Sequence, residues 1–189
     1  MTTTKPHDIL TYWFMEIGRE RWFDNDPTLD VDIRERFLAL HDSALRGELK
    51  DWENTPEGSL ALMLLLDQFP RRMFRDTAKA YESDEIAIEL ARNAIIRHFD
   101  DRIDRGYKFV FYLPFINSES LNDQRLAIYY IRERAREDEW LDMAEKNFHI
   151  VERFGRFPQR NPILGRETTP EEVEFLKKTQ TASSQTMPH

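Results

Sequence analysis

The chain has 189 residues, no cysteine and a net charge of −8. That length suits one domain with one core, stable without disulfide or metal staples. The missing cysteines exclude disulfides, iron–sulfur clusters and thiolate zinc sites, and fit a reducing compartment. The acidity opposes non-specific binding to a long polyanion such as nucleic acid. The longest apolar runs, residues 60–66 and 109–116, fall well short of the ~20 residues that span a bilayer. The N-terminus carries no leader pattern, so no membrane association and a cytoplasmic location are the expectations.

Six glycines and a Leu/Ala/Glu/Arg-rich composition point to helices throughout, and no alternating run suggests a sheet. A first helix is expected from Pro6 to Gly18, with Ile9, Leu10, Trp13, Phe14 and Ile17 on one face. A second runs from Thr28–Asp30 toward Gly47, its stripe formed by Ile33, Phe37, Leu40 and Ala44. Thr55-Pro56-Glu57 is a helix start, a capping hydroxyl followed by proline at the first helical position. The run SLALMLLLDQF behind it is apolar nearly all round and reads as the buried central helix, ended by Pro70 or followed there by a short turn. A further helix is expected from Asp84 to Phe99. FVFYLPFINSE reads as a short or irregular buried segment broken at Pro114. Ser118 or Ser120 starts a helix to Ala135, and Asp138 another to Phe154, with Gly155 just past its end. FPQRNPILGR reads as an ordered loop, and Thr169-Pro170 starts a last helix to about Lys178. The expectation is an all-α domain over residues 1–178 with seven or eight helices, and a disordered tail over 179–189.

Charge is unevenly placed. Arg71, Arg72 and Arg75 form one island without an acid, and Arg153, Arg156, Arg160 and Arg166 form another. An acidic protein with two basic islands suits recognition of something small and anionic. The competing view is that each island neutralises carboxylates elsewhere in the fold. Asp67 falls in the last turn of an apolar helix, where burial and the helix dipole both disfavour a carboxylate. It needs a partner, and Arg71 or Arg75 is near in sequence. In YLPFINSES, Asn117 can donate and accept, and Glu119 is a candidate acid–base group, although a cap at Ser118 with Glu119 in the first turn explains the same letters. His149 and Arg153 share a helix face. Arg156, Arg160 and Asn161 follow on a loop stiffened by Pro158 and Pro162, where guanidinium forks are pre-organised for carboxylate or phosphate. Gly-rich phosphate loops, HExxH helices, G-x-S-x-G elbows and metal-ligand spacing are all missing, so no cofactor and no metal are expected.

Three strings in order, LLLDQFPRRMFR, YLPFINSES and HIVERFGRFPQRN with the following ILGR, resemble the bacterial family known as domain of unknown function 924. The similarity runs from the Trp-Phe pairs at Trp13 and Trp22 to Phe175-Leu176. It implies a tetratricopeptide-repeat-like helical fold and brings no established activity. By position it adds Gln68, Ser118, Gln124 and Arg166 to the motif residues Asp67, Arg71, Arg75, Glu119, His149, Arg153, Arg156, Arg160 and Asn161. At Asn117 and Gln159 the family usually has histidine. Asn and Gln keep the hydrogen bonding but do not titrate near neutrality.

The expected function is a small-molecule site for a phosphate- or carboxylate-bearing ligand. Its binding residues are Gln68, Arg71, Arg75, Asn117, Arg153, Arg156, Arg160, Asn161 and Arg166, with Asp67, Glu119 and His149 as acid–base candidates. The alternatives are a tetratricopeptide-like scaffold for a protein partner and, behind it, a single-stranded RNA binder.

Overall fold

A computed structural model describes residues 4–185, and among them there is no strand. α1 (Pro6–Thr11) continues into a wide π-turn over Tyr12–Ile17 and stops at Gly18. α2 (Pro27–Leu45) starts at Asp26, whose carboxylate accepts from the N–H groups of Thr28 and Leu29, satisfying donors that a helix start leaves orphaned. α3 (Pro56–Met63) is capped by Thr55, whose hydroxyl accepts from the Gly58 N–H. Gly58 is required there because a Cβ would lie 2.1 Å from the Trp52 carbonyl oxygen.

The central helix does not end at Pro70. α3 passes through a π-turn over Leu64–Gln68 and resumes α-geometry over Phe69–Met73, so that α3 with this continuation is one helix carrying Asp67 and Arg71. The Phe69 N–H reaches back five residues to the Leu64 carbonyl, and Pro70 has no N–H to offer the turn before it. Side chains from two other segments take up the carbonyls concerned. His41 Nδ1, which must carry the proton, lies 2.8 Å from Leu65 O, and the Ser83 hydroxyl donates to Leu66 O at 2.5 Å. The expectation of an end at Pro70 fails because a proline penalty local to the helix is offset by donors distant in sequence, while the alternative, a short turn opened by Pro70, agrees with its place in the first turn of Phe69–Met73. π-turns of this kind are frequent at functional sites.

α4 (Asp84–Ile96) is followed by short helical turns and then α5 (Leu113–Asn117). The segment expected to be short or irregular is buried and consists of two short helical pieces, Phe109–Tyr112 and α5, with Pro114 in the first turn of α5. Ser120 caps α6 (Leu121–Tyr130), which runs on through a π-turn to Ala135. α7 (Asp138–Phe154) ends where Gly155 adopts a φ of 69°, a left-handed conformation that glycine reaches without strain. α8 (Pro170–Gln185) outruns its expected stop near Lys178. Residues 186–189 of the expected tail lie outside the described residues.

α1 and α4 both pack on α3, α6 packs on α7, and α5 touches α4, α6 and α7. Every residue from Leu60 to Phe69 is buried. An aromatic stack closes the core beside it, running from Trp13 to Trp22, from Trp22 to Phe109, and from Phe109 to Trp140. Offset ring contacts of this sort add to the area they bury. The result is a central helix, α3, whose one buried carboxylate is Asp67.

Candidate functional site

Asp67 is 1% exposed, so its oxygens must be satisfied by protein donors. Gln68 Nε2 donates at 2.5 Å, Arg71 Nη2 at 2.9 Å, and Asn117 Nδ2 to both oxygens at 3.1 and 3.0 Å. Arg71 is one helical turn on, so its approach follows from α3 alone. Asn117 arrives from the end of α5, and that end is itself pinned. Gln124 Nε2 donates to the carbonyls of Ile116 and Ser118, and Asn147 Nδ2 to Ile116 O.

Arg71 divides one nitrogen between two acids, because Nη2 also reaches Asp84 Oδ1 at 2.8 Å. Its Nε and Nη1 are buried and have no partner among the described residues. Asp84 Oδ2 faces Arg160 Nη1 at 3.7 Å. The Arg160 guanidinium lies between the rings of Tyr81 and Phe157, 4.6 and 4.5 Å from their centroids, and Nη2 donates to Asn117 O. Arg71 packs on the same Tyr81 ring, an attraction between cation and ring face. One arginine from each island therefore meets the other around Asp84. Burial, reinforced by the neighbouring Asp67 and resisted by Arg71, raises the Asp84 carboxyl to about 6. Burial and the nearby Arg71 cation together lower the Arg160 pKa.

Two clefts meet at Asn117. The first, about 250 Å³, is lined by Gln68, Arg71, Arg72, Arg75 and Asn117, with apolar walls that include Trp13 and Trp22. The second, about 330 Å³, is lined by Tyr81, Asp84, Asn117, Ser118, Glu119 and Arg160. Trp13 Nε1 is a further buried donor without a partner among the described residues.

The remaining candidates, whether or not they border a cleft, have their charges turned to internal partners or lie elsewhere. Arg75 borders the first cleft, but both its donors in use go to Asp30. Arg72 is held by Asp30 and the carbonyls of Arg21 and Trp22. Arg156 forks onto Glu172 and reaches Glu167 O, while Arg153 pairs with Glu171. Arg166 binds both oxygens of Glu119 and the Asn161 side chain, and Asn161 in turn donates to Glu172. These contacts form a knot that fixes the loop after α7 to the start of α8. Burial pushes Glu119 up, but hydrogen bonds from Arg166 and the Phe157 N–H outweigh it and hold the carboxyl below its ordinary value. His149 is on the outer face of α7, beside Glu152 and in a groove with Phe154 and Phe175. Asp67, Glu119 and His149 therefore do not assemble into one acid–base centre. Sequence reasoning misses Asp84 and Tyr81, because an acid in the first turn of a helix is an ordinary dipole partner and gives no local sign of a distant contact.

A model of the family described as bacterial protein of unknown function, DUF924, matches residues 9–180. The chain belongs to this family. The solved structure of a protein of unknown function, ATU0120 from Agrobacterium tumefaciens, is similar to it with a TM-score of 0.87 and 43% sequence identity, covering 92% of this chain and 97% of that one. No curated protein matches. At the position where the resemblance to DUF924 implies histidine, Asn117 holds Asp67 by its amide. The second such position, Gln159, is exposed.

Proposed function

We propose that the protein binds a small anionic ligand, carboxylate- or phosphate-bearing, in the first cleft, with Arg71 as its principal donor. The observation that carries this is the state of the Arg71 guanidinium. Two of its three nitrogens are buried without a partner among the described residues, in a side chain that lines an accessible cleft. A buried unmet donor costs roughly 1–3 kcal/mol, a cost that an arriving oxyanion would remove. Gln68, Asn117 and Arg75 line the same cleft with donors already turned to Asp67 and Asp30, which leaves Arg71 as the main donor, and Trp22 gives the pocket an apolar wall. The volume lies below the usual drug-sized range, which favours a compact metabolite over a nucleotide or a chain.

The test is a thermal-shift screen of phosphates, nucleotides and di-acids on the wild type and on Arg71→Lys. Lysine keeps the charge and removes the fork. A ligand at 100 times its Kd adds about 2.7 kcal/mol, which moves the Tm of a domain this size by roughly 5–10 °C. No shift with any anion, or an equal shift in Arg71→Lys, rejects the site.

The protein-scaffold alternative has its own observation, a groove of about 480 Å³ floored by Leu45, Leu62, Leu66 and Leu90. It predicts a partner whose binding ignores Arg71→Lys.

A further inference from the structure

Arg71, Arg160, Asp67 and Asp84 form a compact group of two cations and two carboxylates. Arg71 Nη2 touches both acids, at 2.9 Å from Asp67 and 2.8 Å from Asp84. Arg160 Nη1 stands 3.7 Å from the far oxygen of Asp84. The two acids differ in what else holds them. Asp67 has amide donors from Gln68 and Asn117 in addition to Arg71. Among the described residues, Asp84 is held by the shared arginine nitrogen and the longer approach of Arg160, and its side chain is 25% exposed at the wall of the second cleft. An anion settling on the free nitrogens of Arg71 brings a third negative charge to a group that is already balanced. In so confined a space like charges repel strongly, and the least anchored carboxylate is the one able to give up its charge.

We propose that Asp84 is part of the ligand site as a proton-accepting counter-ion, so that binding of an anion at Arg71 is coupled to uptake of one proton by Asp84. This rests on the anion-site reading above. The charged groups around Asp84 come from several elements. From α3 it faces Arg71 and, behind it, Asp67. From the loop after α7 it faces Arg160. Glu119, across the second cleft, is neutralised by Arg166, Glu85 adds a further negative group on its own helix, and Tyr81 is the ring beneath both arginines. The acid is already raised by its surroundings to about 6, so a modest further push places its titration across neutral pH. A group whose pKa is higher in the complex favours binding at low pH. That advantage fades as pH climbs from the free to the bound pKa, at up to tenfold in Kd per pH unit.

Sulfate is the suitable probe, because it carries no titrating proton between about pH 5.5 and 8.5. Calorimetric titration of the full chain in two buffers of unlike ionisation heat reads the protons taken up directly. The wild type is expected to take up between about half a proton and one proton per sulfate near pH 7, with Kd rising above about pH 6. Asp84→Asn should bind sulfate with no proton uptake and a flat pH profile. Sulfate bound by the wild type without proton uptake overturns the coupling and leaves the anion site standing. An unchanged pH slope in Asp84→Asn does the same. Sulfate ignored by both proteins at every pH overturns the anion site and the coupling with it. The proton count needs only the wild type, so a poorly folding variant does not decide the matter.

Discussion

Asn117 places one amide nitrogen within 3.1 Å of both carboxylate oxygens of Asp67, joining the end of α5 to the π-turn of the central helix across fifty residues of sequence. A buried carboxylate loses most when a donor is deleted and nothing replaces it. Asn117→Ala should therefore lower stability by about 1–3 kcal/mol, read as a lower urea midpoint at unchanged slope. An unchanged midpoint would mean that Gln68 and Arg71 hold Asp67 unaided.

The proline inside the central helix gives a second prediction. Ser83 donates to Leu66 O, the carbonyl that a residue with an N–H at position 70 would normally serve. Ser83→Ala should cost about 1–3 kcal/mol by leaving that oxygen buried and unmet. In a Pro70→Ala background the helix can supply its own donor, so the cost of Ser83→Ala should shrink. A double-mutant cycle with a coupling of at least ~0.5 kcal/mol is expected, whereas strict additivity would show that the two residues act independently.

Much of the α-helical plan was legible because it rests on local rules. Thr55-Pro56, Ser120 and Gly155 each mark a boundary by the conformation or cap they supply. The Asp67–Arg71 contact was legible for the same reason, four residues on one helix. The second arginine island misleads because no acid lies between Arg153 and Arg166. Its partners Glu171 and Glu172 stand just beyond it at the start of α8, and Glu119 comes from before α6. A stretch free of acids is not a stretch free of partners. Asp84 was illegible for the opposite reason, since its helix-start role hides a contact set only by the packing of α3 on α4.

The knot around Glu172 predicts which arginines are structural. Arg156→Ala should leave ligand-induced thermal shifts intact while lowering the starting Tm by a few degrees or more. It strips the cation from a carboxylate that also accepts from Asn161 and the Thr169 N–H. Removing one side of a pair leaves the other charge uncompensated, and the Thr169 turn that Glu172 holds would loosen with it. Loss of the ligand shift with no loss of Tm would place Arg156 in the site after all.

Asp84 and Glu172 should pull stability in opposite directions with pH. Hydrogen bonding from Arg156 is the main cause that brings Glu172 down to about 2. Its stabilising effect is complete above the unfolded pKa near 4.5 and is lost as pH falls toward 2. Burial raises Asp84 from 3.8 to about 6. The folded state then holds a proton that the unfolded chain has released, so stability declines as pH rises from about 4 to 6, by up to about 1.4 kcal/mol for each pH unit crossed. Urea midpoints measured from about pH 2.5 to 8 on the wild type and two variants separate the effects. Glu172→Gln should flatten the acid limb alone. Asp84→Asn should flatten the limb between about pH 4 and 6, and gain stability relative to wild type on going from about pH 4 to 7. A wild-type slope in that window that survives Asp84→Asn would assign the titration elsewhere and leave Asp84 ionised beside Arg71 throughout.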